Sequence, residues 1–262
     1  MTQAATTSRA RNASVDAAAL LTQLRHLLAA PSPDAAPAFH NALETLADTP
    51  AEEASAQLVE CLLTVAHYFY LSNQANTALL STTQAERFAR QLGERRLLRK
   101  ALTFAGVMQM ETGNLPGATE AYSEALTVAR ELGEEEQEAP VWNNLGVALM
   151  NSAQYADALK CFERAAALAG KSLIHAAVET QAQSNVASCA LHLHDVRTGI
   201  RAVRRAIELN AHPETASDCL DRTNAESNYA RLLLEIGEVG HAQEHCETAR
   251  MYAEKAPTAR AE

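Results

Sequence analysis

Residues 142–165 read WNNLGVALMNSAQYADALKCFERA, and three small residues in this stretch reveal an internal repeat. Gly146, Ala158 and Ala165 each belong to a series of small residues whose spacings along the chain are 40, 40, 41 and 43. The first series is Ala66, Gly106, Gly146, Ala187 and Ala230; the second is Ala78, Ala118, Ala158, Gly199 and Ala242; the third is Ala85, Ala125, Ala165, Ala206 and Ala249. Small residues recur where two helix backbones approach closely. The three series therefore predict five successive helix–turn–helix units and an all-α chain.

Turn residues and large apolar residues fit the same register. The turns within the units are marked by Gly113-Asn114, by Ser152 to Gln154 and by Gly237-Glu238, each a few residues before the second series. Large apolar residues occupy both helices of a unit: Leu62, Leu102 and Trp142 on first helices, and Tyr122, Phe162 and Val203 on second helices. We expect these side chains to form the core, and this register favours a packing role for Trp142 over ligand stacking.

The clearest unit resembles the tetratricopeptide repeat. Trp142, Leu145 and Gly146, followed by Tyr155, Ala158, Phe162 and Ala165, match that family's W-x-x-L-G, Y, A, F, A pattern. The period of 40 to 43 exceeds the usual 34 and the terminal proline is missing, so the chain is most similar to the long-repeat subgroup, with longer helices. The resemblance implies a right-handed α-solenoid over residues 55–256, with repeats at about 59–98, 99–138, 139–179, 180–222 and 223–256.

The two ends of the chain lie outside these repeats. Residues 15–50 predict two helices that fit the series poorly, and they are an N-terminal cap or a degenerate repeat. Leucines at 21, 24, 27 and 28 form one apolar stripe, and Phe39, Leu43 and Leu46 form another. Residues 1–14 are expected to be a disordered tail rather than a transit peptide, and 257–262 form a second tail.

Composition narrows the class of function. A formal charge of −10 argues against nucleic acid as a partner, because binding a duplex requires many basic side chains. Five scattered cysteines without a C-x-x-C pair suit reduced thiols, and therefore a cytoplasmic protein. No apolar run approaches the length of about 18 to 20 residues that a membrane span needs. Asp16, Gln23, Arg25 and His26 interrupt the apolar stretch that a signal peptide would require.

Three asparagines stand at one position of successive repeats. Asn144, Asn185 and Asn228 each lie two residues before a residue of the first series, roughly 200° around the helix from it. This places them on the inner, concave wall, where a primary amide can hydrogen bond to the backbone of an extended peptide. Similar tetratricopeptide adaptors use an asparagine ladder in this way. The alternative is that these amides bond within the scaffold, and the sequence leaves both interpretations open.

The other residues predicted on this wall form a groove of mixed polarity. They are Lys100, Thr103, Val107, Met150, Asn151, Ser188 and Arg231, with Met110, Asn143, Val147, Ser184, His192, Ser227 and Glu235 as neighbours. The groove lacks the dense Lys and Arg set that clamps a terminal carboxylate. A ligand held along its backbone is therefore favoured over one held by its end.

Two histidine clusters could indicate a metal, but a structural role is favoured for both. His241 to His245 match the H-x-x-E-H string of one metalloprotease class, although Ala242 falls on a packing position. His192 to Asp195 lie at a predicted turn. No phosphate loop, nucleophile elbow or paired-carboxylate motif is visible. The sequence thus predicts no enzyme activity, no catalytic residue, no metal site and no cofactor.

The predicted function is a protein-interaction scaffold that binds a peptide or partner segment in its concave groove. The alternative is a sensory or regulatory module of a bacterial signalling protein, preceding an output domain such as a diguanylate cyclase. The last helix carries Cys246, Ala249 and Tyr252, some of which should be exposed because no later repeat covers them. That face predicts a possible homo-oligomer.

Overall fold

The computed structural model describes residues 17–29, 35–47, 54–171 and 175–256, and twelve α-helices make up nearly all of them. The expected tails at 1–14 and 257–262 lie outside the described residues. The helices are α1 Ala17–Ala29, α2 Ala35–Ala47, α3 Ala56–Leu71, α4 Ala75–Leu92, α5 Arg95–Glu111, α6 Leu115–Glu131, α7 Glu135–Asn151, α8 Tyr155–Ala169, α9 Ala176–His192, α10 Val196–Leu209, α11 Ala216–Glu235 and α12 Val239–Lys255. The chain divides into two compact units after Val128, within α6.

The first unit contains two N-terminal helices and the hairpins α3–α4 and α5–α6. Leu24, Phe39, Leu43 and Leu46 are fully buried, whereas Leu21, Leu27 and Leu28 of the expected stripe on α1 are half-buried. Phe39 of α2 packs edge-on against Phe69 of α3, with ring centroids 5.2 Å apart. The N-terminal helices thus contribute apolar side chains to one core with the first hairpin.

The second unit contains the hairpins α7–α8, α9–α10 and α11–α12. Trp142 of α7 is half-buried against Ala166 and Ala182, and its indole N–H donates to the Glu138 carboxylate over 3.1 Å. The Arg130 guanidinium lies 5.4 Å from the centroid of the indole ring. The expected packing role of Trp142 is confirmed.

The small-residue series are the most informative sequence feature, and the structure buries all fifteen members. A Cβ on Gly106 would lie 2.5 Å from the Tyr122 ring, and one on Gly146 would lie 2.6 Å from the Phe162 ring. These contacts join the two helices of one hairpin. In the second series, a Cβ on Gly199 of α10 would lie 2.6 Å from Leu232 of α11, so this series packs against the next hairpin.

The turn within each of the five hairpins contains one residue in the left-handed region. These residues are Asn73, Gly113, Ala153, His194 and Gly237, with φ between 55° and 80°. Each follows its first-series residue by seven positions, so the backbone repeats with the same period as the small residues. Ala153 and His194 carry a Cβ in a conformation that favours glycine.

Helix starts show why the predicted repeat boundaries differ from the hairpins. The first helices begin at Ala56, Arg95, Glu135, Ala176 and Ala216, three to seven residues before the repeat starts predicted at 59, 99, 139, 180 and 223. For α3 and α11, capping residues mark the start of the helix. The Ser55 side chain accepts a hydrogen bond from the Leu58 N–H, and Thr215 and Asp218 form a capping box.

In the part of the chain that the structure describes, no helix combines the length and the apolar character needed to cross a bilayer.

Candidate functional site

The first helices of the three hairpins in the second unit line a polar cavity of about 370 Å³. A volume of this size is within the range of ligand pockets. Helix α7 contributes two residues to the lining, and α9 and α11 contribute four each: Asn143, Val147, Gln181, Ser184, Asn185, Ser188, Asp221, Asn224, Ser227 and Asn228. We call this cavity the amide groove. Nearly all of its lining side chains can donate or accept hydrogen bonds, so it suits a polar ligand.

Asn185 and Asn228 each bond to the first helix of the preceding hairpin. Asn185 donates an amide N–H to Oδ1 of Asn143 over 3.2 Å, and Asn228 donates one to the carbonyl oxygen of Ser184 over 3.2 Å. The second N–H and the Oδ1 of both amides have no hydrogen-bond partner among the described residues. Each amide is therefore held by one bond and keeps the groups that a ligand could use.

Asn144 does not line the groove, although it has the same register as Asn185 and Asn228. On α9 and α11 this position bonds to the preceding hairpin, through Asn185 and Asn228. The groove is lined instead by Asn143, one residue and about 100° away on the helix. Asn144, which was expected in one row with Asn185 and Asn228, therefore lies outside this cavity, and its role in binding a partner stays a prediction.

Asp221 is the one charged residue among the described residues that line the groove. It accepts a hydrogen bond from the Gln181 side-chain amide over 3.3 Å. Burial raises the pKa of Asp221 above its usual range, Gln181 opposes this shift, and the nearby Asp218 carboxylate adds to it. The groove therefore contains a carboxylate in an unfavourable environment for its charge.

Ser184 also lines the groove, and its hydroxyl is buried there. Its side chain is buried, with 6% of its surface exposed, and its hydroxyl has no hydrogen-bond partner within the described part of the chain. Burying a hydroxyl without a partner costs about 1–3 kcal/mol. The groove thus contains two polar groups, Ser184 and Asp221, that its own side chains do not fully satisfy.

The remaining residues predicted for the groove in the second unit are only partly brought together. Ser188 lines the cavity. Met150 is half-buried and packs against the apolar core of this unit. Asn151 and Arg231 are exposed and lie outside the lining.

Lys100, Thr103 and Val107 lie on α5 in the first unit. Lys100 is exposed, and the other two are half-buried. The Thr103 hydroxyl donates to the Arg99 carbonyl oxygen over 2.8 Å, one turn earlier on its own helix. A role for these three residues in binding a partner remains a prediction for the first unit.

Gln181, Asp221 and Asn224 were missed by the sequence reasoning. They escaped because the residues predicted on this wall begin at Ser184 on α9 and at Ser227 on α11, one or two turns after these positions. Helical spacing offers a signal: Asn224 and Asp221 lie four and seven residues before Asn228, on one face of α11. Gln181 precedes Asn185 by four residues in the same way.

The two histidines of the H-x-x-E-H string face different carboxylates. His241 Nδ1 lies 3.1 Å from Glu238, and His245 Nδ1 lies 2.5 Å from the buried Glu226. Arg222 donates from Nε to the other oxygen of Glu226 over 2.7 Å. His245 thus contacts the buried Glu226 carboxylate, which also pairs with Arg222, and this contact ties α12 to α11.

The histidines at the α9–α10 turn are also separate. His192 stacks on the Tyr155 ring at 4.1 Å, and His194 Nδ1 lies 3.6 Å from Glu235. Within the described residues, no three histidine, cysteine, aspartate or glutamate side chains converge on a point where a metal ion could bind.

The outer side of α12 is less apolar than the sequence suggested. Cys246 is exposed, but Ala249 is buried, with 6% of its surface exposed. Tyr252 is half-buried, and its ring is covered by Arg222 at 5.4 Å and Lys255 at 5.3 Å. Exposed apolar side chains occur around the α11–α12 turn, at Leu234, Ile236 and Val239, and further along α12 at Met251.

Comparison with known proteins places this geometry in a family. The family model for the tetratricopeptide repeat matches residues 139–172, which cover most of α7 and all of α8. None of the curated proteins compared with the sequence matches it.

Solved structures share the fold at low sequence identity. BtubC from P. vanneervenii is 16% identical, with a TM-score of 0.67 over 92% of this chain and 90% of that one. Kinesin light chain repeats from Podosopora anserina are 17% identical, with a TM-score of 0.63 over 75% of this chain and 95% of theirs. The apo form of RapI is 12% identical, with a TM-score of 0.61 over 92% of this chain and all of that one. The chain therefore contains a tetratricopeptide repeat at residues 139–172 and has the α-solenoid fold of such repeats.

Proposed function

We propose that this chain is a non-catalytic interaction module that binds an extended segment of a partner protein in the amide groove. The observation that carries the proposal is the state of Asn185 and Asn228. Each amide is fixed by one hydrogen bond to the preceding hairpin and leaves an N–H and an Oδ1 without a partner among the described residues. A fixed amide loses little conformational freedom when it binds, so its hydrogen bonds contribute more of their free energy to affinity.

The chemistry of the groove supports recognition along a peptide backbone. A primary amide matches the N–H and C=O of a peptide unit whatever the side chain is. The described lining contains no lysine or arginine, so a terminal carboxylate would find no cation there. An internal, extended segment suits the groove better than a chain end.

Affinity purification with matched variants tests the proposal. The baits are the wild-type chain, the double variant Asn185→Ala/Asn228→Ala, and Asn144→Ala as a control on the same register but outside the groove. Loss of two amides should weaken partner capture roughly tenfold or more, because each hydrogen bond contributes about 0.5–1.5 kcal/mol. Circular dichroism checks that all three baits fold.

The control separates a groove effect from general damage. Asn144→Ala should retain the partners, and overlapping linear peptides from a captured partner should identify one segment that competes. Equal capture by the wild-type chain and the double variant would show that the groove is not the binding surface.

As a second candidate we propose self-association through the α11–α12 hairpin, as in a sensory module of a signalling protein. Leu234, Ile236 and Val239 have 53%, 52% and 62% of their surface exposed, and they follow each other closely at one turn. Light scattering at several concentrations should show a dimer that Ile236→Glu dissociates, while Tyr252→Glu leaves it intact. A monomer at every concentration would exclude this candidate.

A further inference from the structure

We propose that the segment bound in the amide groove carries a cationic side chain, arginine or lysine, that pairs with Asp221. This inference rests on the proposed function and adds the chemistry of the partner. It stands on the position of the Asp221 carboxylate in the cavity and on the neutrality of the other lining residues.

The first argument is the lack of a cation for Asp221. Its only hydrogen bond within the described residues comes from the neutral Gln181 amide. The adjacent Arg222 is engaged elsewhere: it donates to Glu226, to the carbonyl oxygen of Ile207 and to that of Asn210. A partly buried carboxylate without a cation is destabilising, so a neutral residue would favour the folded chain more.

The second argument is the distribution of charge in the cavity. The side chains around Asp221 are amides and hydroxyls, which can bind a backbone but cannot neutralise a charge. Burial and the Asp218 carboxylate both raise the pKa of Asp221, which means that the protein environment disfavours its ionised form. A guanidinium or ammonium group from a ligand would instead favour the ionised form of Asp221.

The third argument is the unpartnered hydroxyl of Ser184 in the same cavity. Buried hydroxyls almost always have a partner, and this one lines the groove on α9, the helix that also carries Gln181. Together, Ser184, the free groups of Asn185 and Asn228, and Asp221 provide acceptors on two neighbouring helices. A cationic side chain with several N–H donors satisfies such a set better than a neutral one does.

Peptide libraries provide a direct test with the whole chain. The probes are fluorescein-labelled pentapeptide mixtures, blocked at both ends and degenerate except at the central residue, which is arginine, citrulline or glutamate. Citrulline has nearly the shape of arginine without its charge. We expect the arginine mixture to bind roughly 10- to 100-fold more tightly than the citrulline mixture, because a hydrogen bond to a charged group contributes about 1.5–3 kcal/mol.

Three variants separate this inference from the proposed function. Asp221→Asn should bind the arginine and citrulline mixtures equally, whereas Glu235→Gln, which removes one charge from the same helix outside the groove, should keep the preference. Asn185→Ala/Asn228→Ala should weaken all mixtures. Equal binding of arginine and citrulline mixtures to the wild-type chain overturns the inference and leaves the proposed function standing. If no mixture binds, both are overturned.

Discussion

Replacing Gly146 by alanine tests whether the small-residue series are required by helix packing. A Cβ at this position would lie 2.6, 2.8 and 2.9 Å from three atoms of the Phe162 ring. Real Cβ atoms essentially never approach that closely, and Phe162 is fully buried, so its ring has little room to move.

Two opposing effects set the magnitude for Gly146→Ala. Alanine in a helix interior is favoured over glycine by about 1 kcal/mol. Overpacking a close-packed site typically costs about 1–3 kcal/mol, with larger values where nothing can shift. We therefore expect a net destabilisation of up to about 2 kcal/mol. Gly240→Ala is the matched control, because nothing lies within 4 Å of its added Cβ, and it should be neutral or slightly stabilising.

The assay is urea unfolding followed by the fluorescence of Trp142, the single tryptophan of the chain, which lies on the same helix as Gly146. In a Phe162→Leu background the effect of Gly146→Ala should largely disappear, since the ring that it contacts is gone. A Gly146→Ala chain that is stabilised by the full helix-propensity gain of about 1 kcal/mol would refute the packing argument.

Four further predictions concern other parts of the chain. Glu226→Gln should lower the free energy of unfolding by about 3 kcal/mol, since it leaves the partly buried Arg222 and His245 without the buried carboxylate that they contact; urea unfolding measures it. Asp221→Asn should be more stable than the wild type at pH 7 and equal near pH 3, because a raised pKa means that stability is lost as the pH rises and the carboxylate ionises; a wild type favoured at pH 7 contradicts this. Ala153→Gly should stabilise by roughly 0.5–1 kcal/mol, because φ is 59° there, and thermal unfolding reports it. Cys246 should be the one thiol that reacts quickly with Ellman's reagent, since the other four are buried and burial raises the pKa of Cys189 to about 12.

The sequence was sufficient to predict the fold because the decisive residues are small. Gly146 and Ala158 stand out in the sequence because a small residue occupies the same position in every repeat. The period of these small residues indicates paired helices. The helix starts were less visible, because Glu135 begins α7 without a side-chain cap hydrogen bond. The predicted repeat boundaries lie three to seven residues inside the first helices.

The candidate site was less predictable, because it depends on which side of a helix faces its neighbour. Asn143 and Asn144 are adjacent and chemically identical, and only the packing of α9 against α7 decides which one lines the groove. Asp221 illustrates a second limit. Its significance lies in the absence of a cation among the described residues that surround it, which is a property of three helices in space and leaves no pattern along the chain.

The hairpins have a constant length, which also fixes the place of each left-handed turn residue, and this limits where the chain can gain or lose residues. From the first to the third small residue the hairpins run 66–85, 106–125, 146–165, 187–206 and 230–249, always the same number of positions. The connections run 85–106, 125–146, 165–187 and 206–230, and these lengthen along the chain. One residue added inside a helix of a hairpin would rotate every later side chain of that helix by about 100°. The small residues would then no longer face the neighbouring helix. Residues can therefore be gained or lost between hairpins but not within them. The connections near Gly133 and at 211–214 are the positions where an inserted tag or reporter would leave the packing intact.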